Sequence, residues 1–89
     1  MIMEIRKKIL PESFDLILAG KKKCELRLAD WKCEEGDLLV LEEWDPKERR
    51  YTGRTVSKRV EHVMQTKGTA YWPKEDIEKY GFQIIQFTD

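Results

Sequence analysis

The run Gly20-Lys21-Lys22-Lys23-Cys24-Glu25-Leu26-Arg27 places three lysines, a carboxylate and a guanidinium within eight residues. Successive cations at a glycine-marked bend form an anion trap. If the chain leaves that bend extended, Glu25 and Arg27, two residues apart, project from the same face. Lysine, carboxylate and guanidinium meeting at one point suit a phosphate, a nucleotide or a nucleobase. Arg27 offers a planar fork to a phosphate. Glu25 can accept from an exocyclic amine or move a proton. A partly desolvated Lys22 can act as base or nucleophile, or hold an oxyanion. The plainer reading is a solvated basic turn followed by a surface ion pair, because charge runs are usually solvated.

A second constellation follows downstream. Tyr51 is flanked by Arg49, Arg50 and Arg54. An aromatic ring interleaved with bases suits single-stranded nucleic acid, where rings stack and cations follow the backbone. Trp31, Trp44 and Trp72 are further stacking candidates, although aromatics in a small domain are mostly core. His62 has no partner of metal-ligating spacing and reads as a strand side chain. Cys24 and Cys33 form no CxxC pair and make no zinc site by themselves; Cys24 shares a face with Leu26 and reads as buried. Residues 34–45 carry Glu34, Glu35, Asp37, Glu42, Glu43 and Asp45 and no base. The apolar run Leu38 to Leu41 divides these acids, and Glu42 and Glu43 point opposite ways on a strand. No metal site and no cofactor is expected.

Eighty-nine residues with 40% hydrophobic content make one folded domain, spanning 1–89. A chain of this size buries roughly 60–65% of its unfolded surface, enough for one small core. The formal net charge is zero, so no global field draws the chain to nucleic acid or membrane, and nucleic-acid binding must be a local patch effect. No apolar run approaches the roughly 20 residues of a membrane span, and the N-terminus has no signal-peptide core. The expected location is the cytoplasm. Charged residues make up 38% of the chain and asparagine is absent, a composition that leans towards a thermophile.

The elements that must position these groups can be read in order. Residues 3–9 alternate weakly and predict a strand. Pro11-Glu12-Ser13 opens a helix over 12–19, with Phe14, Ile17 and Leu18 as its apolar stripe and Gly20 as its C-terminal stop. Residues 22–28 predict a strand, with Cys24, Leu26 and Leu28 facing the core. Residues 37–44 are apolar on both faces, as a central or barrel strand is. Asp45-Pro46 breaks that strand. A return strand is expected from Arg54 to about Gln65, with a bulge where the valine register slips. Residues 73–81 predict a second helix, and Phe82 to Phe87 a closing strand. The fold class is α+β, mainly β: a small partly open β-barrel with two short peripheral helices.

Six motifs in order carry a resemblance. Pro11-Glu12-x-Phe14, Gly20-x-Lys22-x-x-Glu25-x-Arg27, Asp30, Gly36-Asp37, Glu43-Trp44-Asp45-Pro46 and Tyr51-Thr52-Gly53-Arg54 resemble the ASCH domain of the PUA-like superfamily, and most closely its DUF3850 group. The resemblance implies a PUA-like barrel that binds RNA in a cleft beside the Gly-x-Lys turn. It implies, as an alternative, a small amidohydrolase that deacylates a modified nucleoside such as N4-acetylcytidine. In such enzymes the turn lysine, matched by Lys22, is catalytic, with a nearby threonine and a glutamate from a later helix. Here Cys24 and Glu25 stand where the threonine would be, and Glu75 and Glu78 are the helix acids in a similar place. The expected binding set is Lys21, Lys22, Lys23, Glu25, Arg27, Arg49, Arg50, Tyr51 and Arg54. The expected partner is RNA or a modified nucleoside. A third reading is a protein-interaction module that uses the acidic ridge.

Overall fold

Val40 and Leu41 are consecutive and both buried, so the strand that carries them is covered on both faces. The computed structural model describes residues 3–67 and 71–85. Its elements are β1 (Glu4–Ile9), α1 (Pro11–Leu18), β2 (Leu38–Asp45), β3 (Arg50–Arg59) and α2 (Lys74–Tyr80). Among the described residues the sheet has the order β1-β2-β3. β1 runs parallel to β2, from Glu4 opposite Leu38 to Ile9 opposite Glu43. β3 returns antiparallel, from Asp45 opposite Arg50 to Leu38 opposite Arg59. The fold is mainly β in the α+β class; among the described residues it has two short helices and a sheet that does not close, consistent with a partly open barrel.

α1 forms where its sequence directs. Pro11 occupies its first position and Glu12 its first turn, which suits the fixed proline φ and the positive end of the helix dipole. Phe14 and Ile17 lie on one face and are buried with Ile9 and Leu41, against which Leu39 and Val56 pack. Each large side chain buried here contributes about 1.5–3 kcal/mol. Leu18, expected in this stripe, is exposed instead. The helix stops at Gly20, whose φ is +72°. The Gly20 N–H donates to the Ile17 carbonyl and the Lys21 N–H to the Leu16 carbonyl, each at 3.0 Å. That pair of bonds is the Schellman closure, which a left-handed glycine permits.

The sharpest departure from expectation is residues 22–28, which form no strand. The side chains still alternate, but with the opposite sense. Glu25 and Arg27 are half-buried, whereas Cys24, Leu26 and Leu28 are exposed, the two leucines at 77% and 81%. The charged face is turned towards the domain because it finds partners there, as set out below. Cys24 is therefore not a core thiol.

The return strand begins at Arg50 rather than Arg54 and ends at Arg59. Asp45 Oδ1 accepts from the Lys47 and Glu48 amides at 2.8 and 3.2 Å, an Asx turn that brings the chain back early. The register shift lies between Glu42 and Trp44, not among the valines. Gly53, at φ +95°, sits in the opposing bulge, where three residues face one. Residues 61–66 and 81–85 are irregular. Phe82 to Ile85 thus form no closing strand, and Gln86 and Phe87 lie outside the described residues. No helix of the described residues is long and apolar enough to cross a membrane.

Candidate functional site

The Schellman turn at the end of α1 aims the following residues back at the start of that helix. The Lys22 amide also donates to the Leu16 carbonyl at 3.1 Å, so Lys22 leaves the helix in a determined direction. Its ammonium lies 2.8 Å from Glu25 Oε1 and donates to Ser13 Oγ at 3.3 Å. Arg27 Nε donates to the other oxygen, Glu25 Oε2, at 2.8 Å. Arg27 Nη2 donates to the Lys8 carbonyl at 2.7 Å, which ties the segment to β1. Glu25 is the most shielded member, its side chain 15% exposed, with Lys22 and Arg27 under one third. A carboxylate thus lies between two cations, one on each oxygen.

These groups line a concavity of about 300 Å³ together with Lys8 and Ser13. Two cations, Lys22 and Arg27, face one carboxylate there, and Lys8 contributes its backbone carbonyl. Glu25 and Ser13 take two of the three ammonium protons of Lys22, and Arg27 uses two of its five N–H groups on Glu25 and Lys8. Each oxygen of Glu25 has further acceptor capacity. The arrangement can receive an oxyanion on its cations and a donor on Glu25.

The structure therefore brings Lys22, Glu25 and Arg27 together. Lys21 and Lys23 are exposed on the same turn. Arg49, Arg50 and Tyr51 are exposed at the β2–β3 turn. Tyr51 meets Trp44 edge to face, with ring centroids 5.0 Å apart. Glu75 and Glu78 are exposed on α2, where Glu78 lies 4.0 Å from Lys74, and neither lines the concavity. Trp31 lies beneath the Lys7 ammonium at 4.2 Å, and Trp72 lies between Tyr71 and Phe82.

Two contributors escaped the sequence reading. Ser13 reaches the site from the first turn of α1, and the Lys8 carbonyl from the end of β1. The phase of α1 could have pointed to Ser13, since Gly20 returns the chain along the helix. Nothing local to Lys8 marks it.

Arg54 has a different role from its neighbours Arg49 and Arg50. Its Nε and Nη2 donate to Glu43 Oε1 and Oε2 at 2.8 and 2.6 Å, and Nη2 also reaches Asp15 Oδ1 at 3.1 Å. Thr52 Oγ1 donates to Glu43 Oε1 at 2.6 Å, and the guanidinium lies 4.6 Å from the Phe14 ring centre. The hydrogen bonds from Arg54, then that from Thr52, pull the Glu43 carboxyl down from its ordinary 4.5 to about 2. Glu43 and Arg54 thus join β2, β3 and α1. Asp37, also buried, accepts from the Glu34 amide at 2.8 Å and the Met3 amide at 3.2 Å. Those bonds, the one from Glu34 first, hold its carboxyl below the ordinary range. Both buried carboxylates are structural ties.

The family described as "Domain of unknown function (DUF3850)" matches residues 6–76. The "Uncharacterized 12.9 kDa protein in GpA 3'region" of Escherichia phage P2 is 43% identical over 56 residues, 63% of this chain and 50% of that protein. The chain thus aligns with about half the length of that relative. No solved structure matches.

Proposed function

The chain belongs to the DUF3850 family, and from that premise we propose that it is an ASCH-type, PUA-like module that binds RNA or a nucleotide in the concavity at Lys22. The observation that carries this reading is the ion-pair chain Lys22–Glu25–Arg27 in the wall of that concavity, with 2.8 Å on each side of the carboxylate. A merely solvated basic turn would leave these side chains in water. Here they are held in place before any ligand arrives, which lowers the ordering cost of binding. Lys22 and Arg27 take phosphate oxygens, and Glu25 takes an exocyclic amine of the base. Lys21 and Lys23 extend the field along the turn.

Titration of single-stranded RNA into the protein at rising salt tests this. The expected result is micromolar affinity that falls linearly in log–log coordinates. The slope loses roughly one unit in Lys22→Ala. Absence of binding at low salt overturns the reading.

One observation favours the amidohydrolase alternative. Ser13 Oγ, 3.3 Å from the Lys22 ammonium, supplies the hydroxyl that Cys24 and Glu25 displace from the turn. Hydroxyl, amine and carboxylate then lie in hydrogen-bonding sequence, the order that nucleophilic acyl transfer uses. Turnover of N4-acetylcytidine by the wild type, lost in both Ser13→Ala and Lys22→Ala with the fold intact, is its test.

A further inference from the structure

Lys8 belongs to two neighbourhoods at once. It lines the concavity, and its carbonyl accepts from Arg27. Its ammonium lies on the Trp44 ring, 3.8 Å from the centroid, and 6.0 Å from that of Tyr51. Its neighbour Ile9 points into the core, so Lys8 itself stands on the opposite face of the sheet. Trp44 and Tyr51 face each other across the β2–β3 ladder. Neither ring belongs to the buried cluster of Phe14 and Leu41, and Tyr51 is 50% exposed. A pair of rings held at the surface beside a cation is the equipment of a stacking platform.

We infer that the ligand is a single-stranded oligonucleotide of at least two residues, and that it spans the concavity and the Trp44–Tyr51 platform with Lys8 between them. This rests on the nucleotide-binding reading above and adds a second subsite to it. One nucleotide occupies the Lys22–Glu25–Arg27 hollow. The phosphate linking it to the next nucleotide meets the Lys8 ammonium. The neighbouring base stacks on Tyr51, with the exposed Arg49 and Arg50 beside it. In the free protein the Lys8 ammonium rests on the indole of Trp44. An arriving phosphate competes for that ammonium, because a charge-assisted hydrogen bond outweighs an exposed cation–π contact. Departure of the ammonium changes the environment of the indole, so Trp44 reports whether the second subsite is filled.

Two measurements test the inference. Calorimetry on the wild-type chain compares uridine 5′-monophosphate with tetrauridylate. The expected gain is about tenfold or more in affinity for the longer ligand. In Tyr51→Ala the ratio of the two affinities falls towards one, and in Tyr51→Phe, which keeps the ring, it is retained. The second measurement uses a chain carrying Trp31→Phe and Trp72→Phe, in which Trp44 is the sole indole. Its emission shifts with tetrauridylate and not with the monophosphate. Equal affinities for the two ligands, or a length gain that survives Tyr51→Ala, overturn the second subsite and leave the hollow at Lys22 in place. Failure of both ligands to bind removes the nucleotide reading and this extension together.

Discussion

The guanidinium of Arg54 grips the Glu43 carboxylate at both oxygens, 2.8 Å through Nε and 2.6 Å through Nη2, while Thr52 donates to the same carboxylate at 2.6 Å. Glu43 is buried on the central strand. Its three donors come from residues two apart on the facing strand, because the bulge at Gly53 presents both side chains to one point. Glu43, Thr52 and Arg54 thus form a polar tie that shares no residue with the candidate site.

Breaking that tie destabilises the protein more than breaking the site. Arg54→Ala strands a buried carboxylate, and its thermal midpoint is expected to drop by about 10 °C or more. Lys22→Ala leaves Glu25 still paired with Arg27, and its midpoint is expected to stay within about 5 °C of wild type. Melting curves followed by circular dichroism compare the two. Equal losses would show that the Glu43 pair is not the stronger tie.

Acid weakens the fold through the same carboxylate. The folded pKa of Glu43 is about 2, below its ordinary 4.5, chiefly through Arg54. A depressed carboxyl adds stability above its unfolded pKa, and that contribution disappears as pH falls through the window from 4.5 to about 2. Asp37, lowered by the Glu34 and Met3 amides, acts in the same direction. Urea denaturation at stepped pH is expected to show stability falling across that window. In Glu43→Gln the fall should be shallower, with lower stability at neutral pH. An unchanged acid limb would remove Glu43 from the account.

Gly53 holds a φ of +95° with open space around the place a Cβ would occupy. Gly53→Ala therefore meets backbone strain and no clash, and is expected to cost about 1–2 kcal/mol. Denaturant titration reads the loss. A neutral result would mean that the bulge relaxes without releasing Thr52 or Arg54 from Glu43.

The core is small enough to be broken by one truncation. Phe14 and Leu41 are fully buried against each other's neighbours. Phe14→Ala is expected to cost about 3–5 kcal/mol, close to the whole stability of a domain this size. Loss of the cooperative urea transition at room temperature is the expected outcome. Survival with a near-native midpoint would locate the core elsewhere.

The two thiols differ in reactivity. Cys24 is exposed, whereas Cys33 is half-buried. The Cys33 thiol is pushed up, by burial first and then by the Asp37 and Glu34 carboxylates, so less thiolate is available there. Iodoacetamide at mildly alkaline pH should modify Cys24 several-fold faster. Cys33→Ser should delete only the slow phase, as read by intact-mass spectrometry.

Much of this architecture is legible in the residues alone. Pro11 and Gly20 bound α1 because proline presets a helical φ and glycine alone enters the left-handed region cheaply. Leu38 to Leu41 mark the central strand because only a strand covered on both faces tolerates a continuous apolar run. Asp45-Pro46 marks the turn, and the two-residue spacing of Glu25 and Arg27 puts them on one face. All of these are short-range consequences of backbone sterics and of neighbouring side chains.

What the sequence leaves undecided is which way an alternating segment faces. Cys24, Leu26 and Leu28 against Glu25 and Arg27 form two distinct faces, and periodicity says only that they differ. The tertiary structure turns the charged face inward because Ser13 and the Lys8 carbonyl wait there with matching hydrogen-bonding groups, and a charge that finds partners need not remain in water. Those partners lie nine and nineteen residues away, as Asp15 lies 39 from Arg54. Only chain folding brings such groups within 3 Å or so, and no local pattern encodes that encounter.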